Sequence, residues 1–264
     1  MTNKGTALVT GASSGIGAIY ADRLARRGHD LILVARNTER LQSVAARITD
    51  ETGRSVNVVS ADLADGDDLF KVERILRDNA AITMLVNNAG FGGVTPLLQS
   101  DVDRMELMVD LNVTAPMRLA YAAAPGFVER GRGTIINISS IVAIGPEILN
   151  GVYGGTKAFV LAFSQSLQHE LADKGVRVQA VLPGGTATEF WGIAGYGDYA
   201  DSPMVMQAED MVDAALAGLD LGEVVTIPPL QDGALWDEYE AQRRRITADL
   251  AHATPGARYV AAVA

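Results

Sequence analysis

Residues 6–17 read TALVTGASSGIG and decide the predicted fold. Thr6–Thr10 is a short strand candidate, and a helix begins near Gly15. A turn that joins a strand to a helix exposes free backbone N–H groups at the positive end of the helix dipole, and glycine lets a phosphate approach the backbone closely. The spacing of Gly11, Gly15 and Gly17 therefore predicts a phosphate-binding turn, although a plain tight turn would also account for these glycines.

Strand candidates and helix candidates alternate along the rest of the chain. The strand candidates are almost continuous apolar runs, which indicates that both faces of the sheet are covered. Their alternation with amphipathic segments predicts an α/β fold, with a doubly wound parallel sheet of about seven strands between two helix layers (a three-layer αβα arrangement). After Thr6–Thr10 the predicted strands are 31–35, 56–60, 84–86, 134–138, 176–181 and 224–227, and the predicted helices after the first are 38–51, 67–79, 102–109, 115–129, 151–173 and 208–219.

The composition excludes several classes of function. The 264 residues carry 22 Lys+Arg against 32 Asp+Glu, a formal net charge of −10, so no basic surplus exists for binding nucleic acid. The same charge argues, more weakly, against an acidic carrier protein as a partner. The chain has no cysteine, which removes disulfides and thiolate catalysis, and its three histidines are too scattered to indicate a metal site.

The predicted organisation is a single domain over residues 1–264, because no repeat or linker divides the chain. We expect a loop over the carboxyl edge of the sheet at about 184–207 and a C-terminal segment at about 228–264. The N-terminal residues lack the pattern of a signal peptide, and no apolar run reaches the ~18 residues that a membrane span needs. We therefore expect no membrane association and a cytoplasmic location.

The end of the second predicted strand bears on the kind of nucleotide that the turn would bind. An NAD site of this architecture places a carboxylate there to accept hydrogen bonds from the adenosine ribose, and Ala35 cannot do this. Arg36 follows and offers a guanidinium that can bind a 2′-phosphate bidentately. These two residues predict a preference for NADP(H) over NAD(H), with a plain surface arginine as the alternative.

Tyr153 and Lys157 have the spacing that brings two side chains to the same face of a helix. A lysine ammonium beside a phenol stabilises the phenolate, so the pKa of the tyrosine is expected to fall from about 10 toward neutral pH, which suits a general acid. The pair alone is weak evidence, because Tyr and Lys recur at this spacing by chance. Its weight comes from the other motifs in the chain.

Taken in order, these motifs resemble those of the short-chain dehydrogenase/reductase family, in its single-domain members of about this length. The resemblance runs from Thr6 to about Thr188 and includes a serine thirteen residues before Tyr153. It implies a Rossmann-type fold and the NADP(H)-dependent interconversion of a ketone and a secondary alcohol. The matching motifs are Thr10-Gly11-xxx-Gly15-Ile16-Gly17, Asp62, Asn87-Asn88-Ala89-Gly90, Asn112, Ser140, Tyr153-xxx-Lys157 and Pro183-Gly184-xxx-Thr188.

The resemblance implies a role for each matching residue. Tyr153 would give a proton to the carbonyl oxygen, Lys157 would tune the pKa of Tyr153 and hold the nicotinamide ribose, and Ser140 would hydrogen-bond the same oxygen. Asn112 would fix a water that joins Lys157 to the bulk proton supply. The implied cofactor-binding residues are Gly11, Ser13, Ser14, Gly15, Ile16, Gly17, Arg36, Asp62, Leu63, Asn88, Ala89, Gly90, Tyr153, Lys157, Pro183, Gly184, Thr186 and Thr188.

Loops over the carboxyl edge of the sheet are expected to hold the substrate, because open parallel sheets bind ligands there. Most of the candidates are apolar or aromatic, which predicts a roomy pocket for a bulky, uncharged ketone. Phe190, Trp191, Tyr196 and Tyr199 are expected to form a lid. The substrate-binding candidates are Phe91, Ser140, Val142, Leu149, Tyr153, Gly185, Phe190, Trp191 and Tyr196.

Two other functions stay open at this point. Reduction of 3-oxoacyl thioesters on a carrier protein would call for a basic patch near the pocket mouth, whereas residues 184–203 contain no Lys or Arg. A catalytically silent NADP-binding sensor would have little reason to keep Ser140, Tyr153 and Lys157 in register. The resemblance also implies a homodimer or homotetramer, with a small-molecule ketone or alcohol as the other partner and no metal.

Overall fold

The computed structural model describes residues 4–194 and 202–260. The chain forms two compact units, Met1–Pro229 and Leu230–Ala264. The first unit holds the parallel sheet, and the second is helical. The strands are β1 (Thr6–Thr10), β2 (Asp30–Ala35), β3 (Val56–Ser60), β4 (Ile82–Asn87), β5 (Gly133–Ile138), β6 (Val176–Val181), β7 (Thr186–Ala187), β8 (Met206–Gln207) and β9 (Val225–Thr226). The helices are α1 (Gly15–Arg26), α2 (Thr38–Thr52), α3 (Gly66–Asp78), α4 (Val102–Val109), α5 (Ala115–Glu129), α6 (Gly151–Leu171), α7 (Phe190–Ala194), α8 (Ala208–Leu221), α9 (Ala234–Ala248) and α10 (Ala257–Val260).

The central sheet has seven strands in the order β3-β2-β1-β4-β5-β6-β9, and every pair is parallel. The predicted doubly wound Rossmann-type α/β fold is therefore confirmed. The strand order reverses between β1 and β4, so the chain leaves the carboxyl ends of these two neighbouring strands in opposite directions. Ligands of open α/β sheets bind in the crevice at such a point.

Two apolar layers bury the sheet. On one face, α1, α2 and α8 pack through residues such as Tyr20, Leu41 and Met211. On the other face, α3 and α5 pack through residues such as Leu69 and Phe127. Burial of each large apolar side chain contributes about 1.5–3 kcal/mol. Because both faces are covered, the central strands β1, β2 and β4 are buried along almost their whole length, as the sequence indicates.

Helices α4 and α5 are joined by a wider turn that the sequence analysis does not predict. Residues Asp110–Thr114 form a single stretch of π-helix, and Asn112 lies buried at its centre. Pro116 at the start of α5 needs no hydrogen-bond acceptor for its nitrogen, which suits a position in the first turn of a helix. The wider turn changes the direction in which the Asn112 side chain projects, and such π-turns often lie at functional sites.

A small second sheet frames the predicted substrate loop. Strands β7 and β8 pair in parallel, with Thr186 opposite Met206 and Ala187 opposite Gln207. These two-residue strands are too short to show a period of two, which explains why the sequence does not predict them. Residues 195–201 between them lie outside the described residues, and the predicted lid residues Tyr196 and Tyr199 fall there.

The second unit contains α9 and α10. Within α9, Glu240 accepts hydrogen bonds from the Arg243 guanidinium at 2.8 Å, an arrangement one helical turn long. Across the ranges 4–194 and 202–260, no helix combines the length and the apolar character that crossing a bilayer requires.

Candidate active site

The turn between β1 and α1 can be built only with glycine at two positions. Gly11 has a φ of +66°, and a Cβ on it would lie 2.7 Å from Asn88 Nδ2. A Cβ on Gly17 would lie 2.3 Å from the carbonyl oxygen of Gly11. Within the described part of the chain, the Ser14 side chain at the N-cap position makes no capping hydrogen bond. The N–H groups of the first turn of α1 therefore face an open crevice, which favours an anion.

Thr10 connects β1 to the end of β4, where the strand order reverses. Its buried hydroxyl donates to Val86 O at 3.2 Å and accepts hydrogen bonds from the backbone N–H groups of Asn88 and Ala89, both at 3.0 Å. The Asn88 side chain in turn donates to Thr10 O at 2.9 Å. These bonds hold the Asn88-Ala89-Gly90 segment beside the glycine turn, so that both line one cleft.

The far end of this cleft carries charged residues after β2 and β3. Arg36 and Asp62 face each other, with 3.7 Å between Arg36 Nη1 and Asp62 Oδ2. The other carboxylate oxygen of Asp62 accepts a hydrogen bond from Ala64 N at 3.1 Å, which fixes the turn after β3. Arg40, on the first turn of α2, lines the same end of the cleft and forms an ion pair with Glu189 at 2.7 Å. Sequence reasoning does not identify Arg40 and Glu189 as site residues.

The middle of the cleft holds the predicted catalytic group. Tyr153 and Lys157 lie one turn apart on α6, and Ser140 is the second residue after the end of β5. The Ser140 hydroxyl donates to the carbonyl oxygen of Pro183 at 3.4 Å. Lys157 Nζ donates to the carbonyl oxygen of Ile138 at 2.9 Å and lies 5.8 Å from the centre of the Tyr153 ring. All three side chains are buried.

Burial sets the proton affinities of this group. It raises the pKa of Tyr153 to about 12, against the smaller opposing effect of the nearby Ser140 hydroxyl. Burial also lowers the pKa of the Lys157 ammonium to about 8. The expected fall of the Tyr153 pKa toward neutral pH is therefore not seen in this structure. The reason is desolvation, which disfavours the charged phenolate more strongly than the neighbouring groups favour it.

Asn112 lies behind the cleft wall. Its amide donates to Phe91 O at 2.9 Å and to Thr156 Oγ1 at 3.2 Å, and its oxygen accepts from Phe91 N at 3.1 Å. Thr156 Oγ1 donates to Tyr153 O at 2.8 Å. A Cβ on Gly90 would lie 2.8 Å from Asn112 Oδ1, so glycine is what lets the two approach. Asn112 thus connects the π-turn to the backbone that carries Tyr153.

Aromatic residues close the other end of the cleft. The Phe190 ring lies 5.9 Å from the Tyr153 ring, centre to centre, and rests on Gly92, where a Cβ would lie 2.3 Å from Phe190 Cζ. Trp191 stands edge-on to Phe190, and its indole N–H donates to Thr186 O at 2.8 Å. The cleft has a volume of about 610 Å³, within the usual range for small-molecule sites.

The structure brings nearly all of the predicted site residues together around this one cleft. Gly17 and Asn112 support it from behind, and Tyr196 lies outside the described residues. The predicted residues that line it are Gly11, Ser13, Ser14, Gly15, Ile16, Arg36, Asp62, Leu63, Asn88, Ala89, Gly90, Phe91, Ser140, Val142, Leu149, Tyr153, Lys157, Pro183, Gly184, Gly185, Thr186, Thr188, Phe190 and Trp191.

Comparison with known proteins connects this cleft to an enzyme family. Residues 5–194 match the family described as short chain dehydrogenase. Over 187 residues, the chain is 36% identical to a very-long-chain 3-oxoacyl-CoA reductase of Anas platyrhynchos, covering 69% of this chain and 60% of that protein.

Two solved structures match nearly the whole chain. A short-chain dehydrogenase from Sphingobium yanoikuyae in complex with NADPH is 49% identical, with a TM-score of 0.93 over 97% of this chain and 100% of that one. A bulky-bulky ketone specific alcohol dehydrogenase from Comamonas testosteroni is 44% identical, with a TM-score of 0.90 over 98% of this chain and 99% of that one.

Proposed function

The chain belongs to the short-chain dehydrogenase family, and we propose that it catalyses the reversible, NADPH-dependent reduction of bulky apolar ketones to secondary alcohols. The observation that carries this proposal is the buried pair of Ser140 and Tyr153, whose side chains line the same cleft. This pair lies between the glycine turn at one end of the cleft and an aromatic wall at the other. A proton donor in that position can serve a carbonyl held against the wall while the cofactor occupies the remainder.

The residues of the cleft fit NADP(H). The glycine turn and the uncapped N-terminus of α1 would hold the pyrophosphate, because the absence of Cβ atoms lets it reach the backbone N–H groups. Arg36 would pair with the 2′-phosphate, and Asp62 would accept the adenine amino group. The similarity to the NADPH-bound Sphingobium structure supports the same assignment. The other residues proposed to contact the cofactor are Ser13, Ile16, Leu63, Asn88, Ala89, Gly90, Pro183, Gly184, Thr186 and Thr188.

Bound NADPH supplies the hydride that reaches the carbonyl carbon. Tyr153 gives its phenolic proton to the carbonyl oxygen at the same stage, so that ketone, hydride and proton together form the alcohol. A pKa of about 12 keeps this phenol protonated at neutral pH, as a donor must be. Ser140 donates to the same oxygen and stabilises the negative charge that develops there.

Lys157 acts on the phenol through its charge. With a pKa of about 8 its ammonium remains mostly protonated at neutral pH. A cation close to the Tyr153 ring favours the phenolate that is left after proton transfer. We propose that Asn112 keeps this part of the site in place and supports the return of the proton, since its bonds to Phe91 and Thr156 fix the surrounding backbone.

The apolar end of the cleft supports bulky ketones as substrates. Phe91, Val142 and Leu149 line it beside Tyr153, and Phe190 covers it. Burial of apolar substrate surface against such a wall is favourable at about 25 cal/mol per Å². The name of the Comamonas neighbour, a bulky-bulky ketone specific alcohol dehydrogenase, agrees with this substrate class.

A second candidate is the reduction of 3-oxoacyl thioesters, which also takes place at a ketone. The 36% identity to a very-long-chain 3-oxoacyl-CoA reductase favours it. The substrate loop argues against a carrier-bound thioester, because residues 184–203 contain no Lys or Arg that could pair with an acidic carrier. Bulky ketones therefore remain the first candidate, and the thioester belongs in the same assay.

The test follows the oxidation of NADPH and of NADH, side by side, over ketones graded from small aliphatic to bulky diaryl, with a 3-oxoacyl thioester included. We expect turnover with NADPH that rises with the apolar bulk of the ketone and is weak for the thioester. Turnover of the thioester alone would replace the first candidate by the second. Cofactor binding without turnover of any compound would contradict both.

We also propose that the chain forms a homodimer or homotetramer. Leu98, Leu97 and Tyr121 are 96%, 79% and 70% exposed, and burial of such apolar side chains between copies of the chain would favour association. Light scattering on the purified protein would show a mass of two or four chains, and a monomeric mass at micromolar concentration would contradict the proposal.

A further inference from the structure

Three consecutive residues contact three different parts of the cleft. Thr188 lies over the glycine turn, where a Cβ on Gly15 would come 3.3 Å from Thr188 Cγ2. Glu189 forms the ion pair with Arg40 at the far end, and Phe190 packs on Tyr153. One short segment therefore connects the nucleotide end, the phosphate turn and the catalytic tyrosine.

The Arg40–Glu189 pair joins elements that are distant in sequence. Arg40 is on the first turn of α2, where its backbone N–H donates to the N-cap residue Asn37 at 2.9 Å. Glu189 directly precedes α7. Only one guanidinium nitrogen, Nη1, makes the 2.7 Å bond to Glu189 Oε2. Both side chains are more than half exposed, so water screens the pair and it is readily exchanged for another partner.

We propose that Arg40 is a second cation for the 2′-phosphate of NADP(H), and that Glu189 competes for it and thereby links cofactor choice to the substrate loop. This inference rests on the proposed function. Arg40 and Arg36 line the same end of the cleft, where the 2′-phosphate is expected. A phosphate monoester carries a charge of about −1.5 to −2 and three acceptor oxygens, so it outcompetes a single exposed carboxylate for a guanidinium.

The exchange has a consequence for the loop. When Arg40 turns to the phosphate, Glu189 loses the contact that ties the start of α7 to α2. Phe190 is the next residue, and its ring occupies the space beside Tyr153 and over Gly92. Release of Glu189 therefore allows Phe190 to move away and admit a ketone. Cofactors without a 2′-phosphate leave the ion pair in place, which makes the pair a determinant of cofactor specificity.

The first test measures binding, without turnover, by calorimetry with NADP+ and NAD+. Glu189→Gln should tighten NADP+ relative to NAD+ by roughly two- to fivefold, the range expected when one exposed ion pair no longer competes. Arg40→Gln should weaken NADP+ relative to NAD+, and adding Glu189→Gln to it should have no further effect on that ratio. Asp220→Asn, which breaks the exposed 3.0 Å pair with Arg27 elsewhere on the surface, is the matched control and should leave both affinities unchanged.

The second test reads the loop directly through Trp191. The chain has two tryptophans, so a Trp236→Phe background leaves Trp191 as the only one. Adenosine 2′,5′-bisphosphate, which carries the 2′-phosphate and no nicotinamide, should change the Trp191 emission, whereas ADP should not. When Glu189→Gln is added to the Trp236→Phe protein, the Trp191 emission without ligand should already resemble that of the Trp236→Phe protein with ligand. Adenosine 2′,5′-bisphosphate should then change the emission only slightly.

The outcomes separate this inference from the proposed function. Glu189→Gln could change the affinities for NADP+ and NAD+ equally, or change their ratio by the same factor with and without Arg40. Either result would overturn the specificity role of the pair, while NADP+ binding by the wild type would still support the proposed function. An identical Trp191 response in the parent and the variant would overturn the link to the loop. A wild-type protein that binds neither NADP+ nor adenosine 2′,5′-bisphosphate would overturn both the inference and the proposed function.

Discussion

Lys157 Nζ donates a hydrogen bond to the carbonyl oxygen of Ile138 at 2.9 Å, at the end of the strand that leads to Ser140. The ammonium is thereby held 5.8 Å from the centre of the Tyr153 ring, and both residues line the same cleft. Under the proposed function, the lysine acts on the phenol through its charge, and Tyr153 donates the proton to the substrate.

Tyr153→Phe should reduce kcat/KM for ketone reduction by about 10²–10⁴-fold, because general-acid catalysis of this kind contributes that much. NADPH affinity should change little, since the ring and its packing on Phe190 remain. The measurement is steady-state turnover together with cofactor binding by calorimetry. Tyr121→Phe, at an exposed tyrosine on α5, is the control and should retain activity. Near-full activity of Tyr153→Phe would assign the proton to another group.

Replacement of Lys157 should change how stability depends on pH. Burial lowers the pKa of Lys157 from its ordinary 10.5 to about 8, so between these values the unfolded chain binds more protons than the folded one. The protonated lysine therefore destabilises the fold fully below about pH 8, and this effect disappears as the pH rises toward 10.5. The difference is of the order of 3 kcal/mol.

The comparison that isolates this effect is the melting temperature of Lys157→Met minus that of the wild type. This difference should be more positive at about pH 7 than at about pH 10. Over this interval the wild type gains stability as the buried Lys157 loses its proton, and the Lys157→Met variant has no such gain. Lys71→Met, at an exposed lysine on α3, should show the same difference at both values. A Lys157→Met difference independent of pH would show that the ammonium is not desolvated in the folded protein.

Local spacing made much of this site predictable from the sequence. Gly11 and Gly17 belong to a single turn, and Tyr153 and Lys157 lie on a single helix, so their placement can be inferred from neighbours in the chain. The Arg40–Glu189 pair could not be inferred, since the two residues are 149 positions apart and meet only through the packing of α2 beside the substrate loop. The raised pKa of Tyr153 could not be inferred either, because desolvation comes from elements distant in sequence.

Arg36→Ala should weaken NADPH far more than NADH. A charge-assisted hydrogen bond contributes about 1.5–3 kcal/mol, which corresponds to roughly a 10- to 150-fold loss of NADPH affinity. The dissociation constants of the two cofactors, measured on the same preparation, give the ratio directly. Arg74→Ala removes another exposed arginine, on α3, and should leave this ratio unchanged. Equal losses for NADPH and NADH would remove the phosphate role from Arg36.

Gly92 and Phe190 provide a test of the substrate wall. A Cβ on Gly92 would lie 2.3 Å from Phe190 Cζ, so Gly92→Ala must push the ring aside or strain it. Such overpacking costs about 1–3 kcal/mol of unfolding free energy. In a Phe190→Ala background the three atoms nearest to that Cβ, all in the Phe190 ring, are gone, and the cost should largely vanish. Gly66→Ala, where a Cβ meets nothing within 4 Å, is the control.

Urea denaturation of the four proteins in this cycle gives the coupling energy, and the ketone panel gives its consequence for function. Phe190→Ala should raise kcat/KM for the bulkiest ketones relative to small ones, because the ring that covers Tyr153 is gone. Gly92→Ala should do the same to a smaller extent by displacing that ring. If Gly92→Ala costs as much stability without the Phe190 ring as with it, the contact between them does not exist in solution, and Phe190 does not set the size of the pocket.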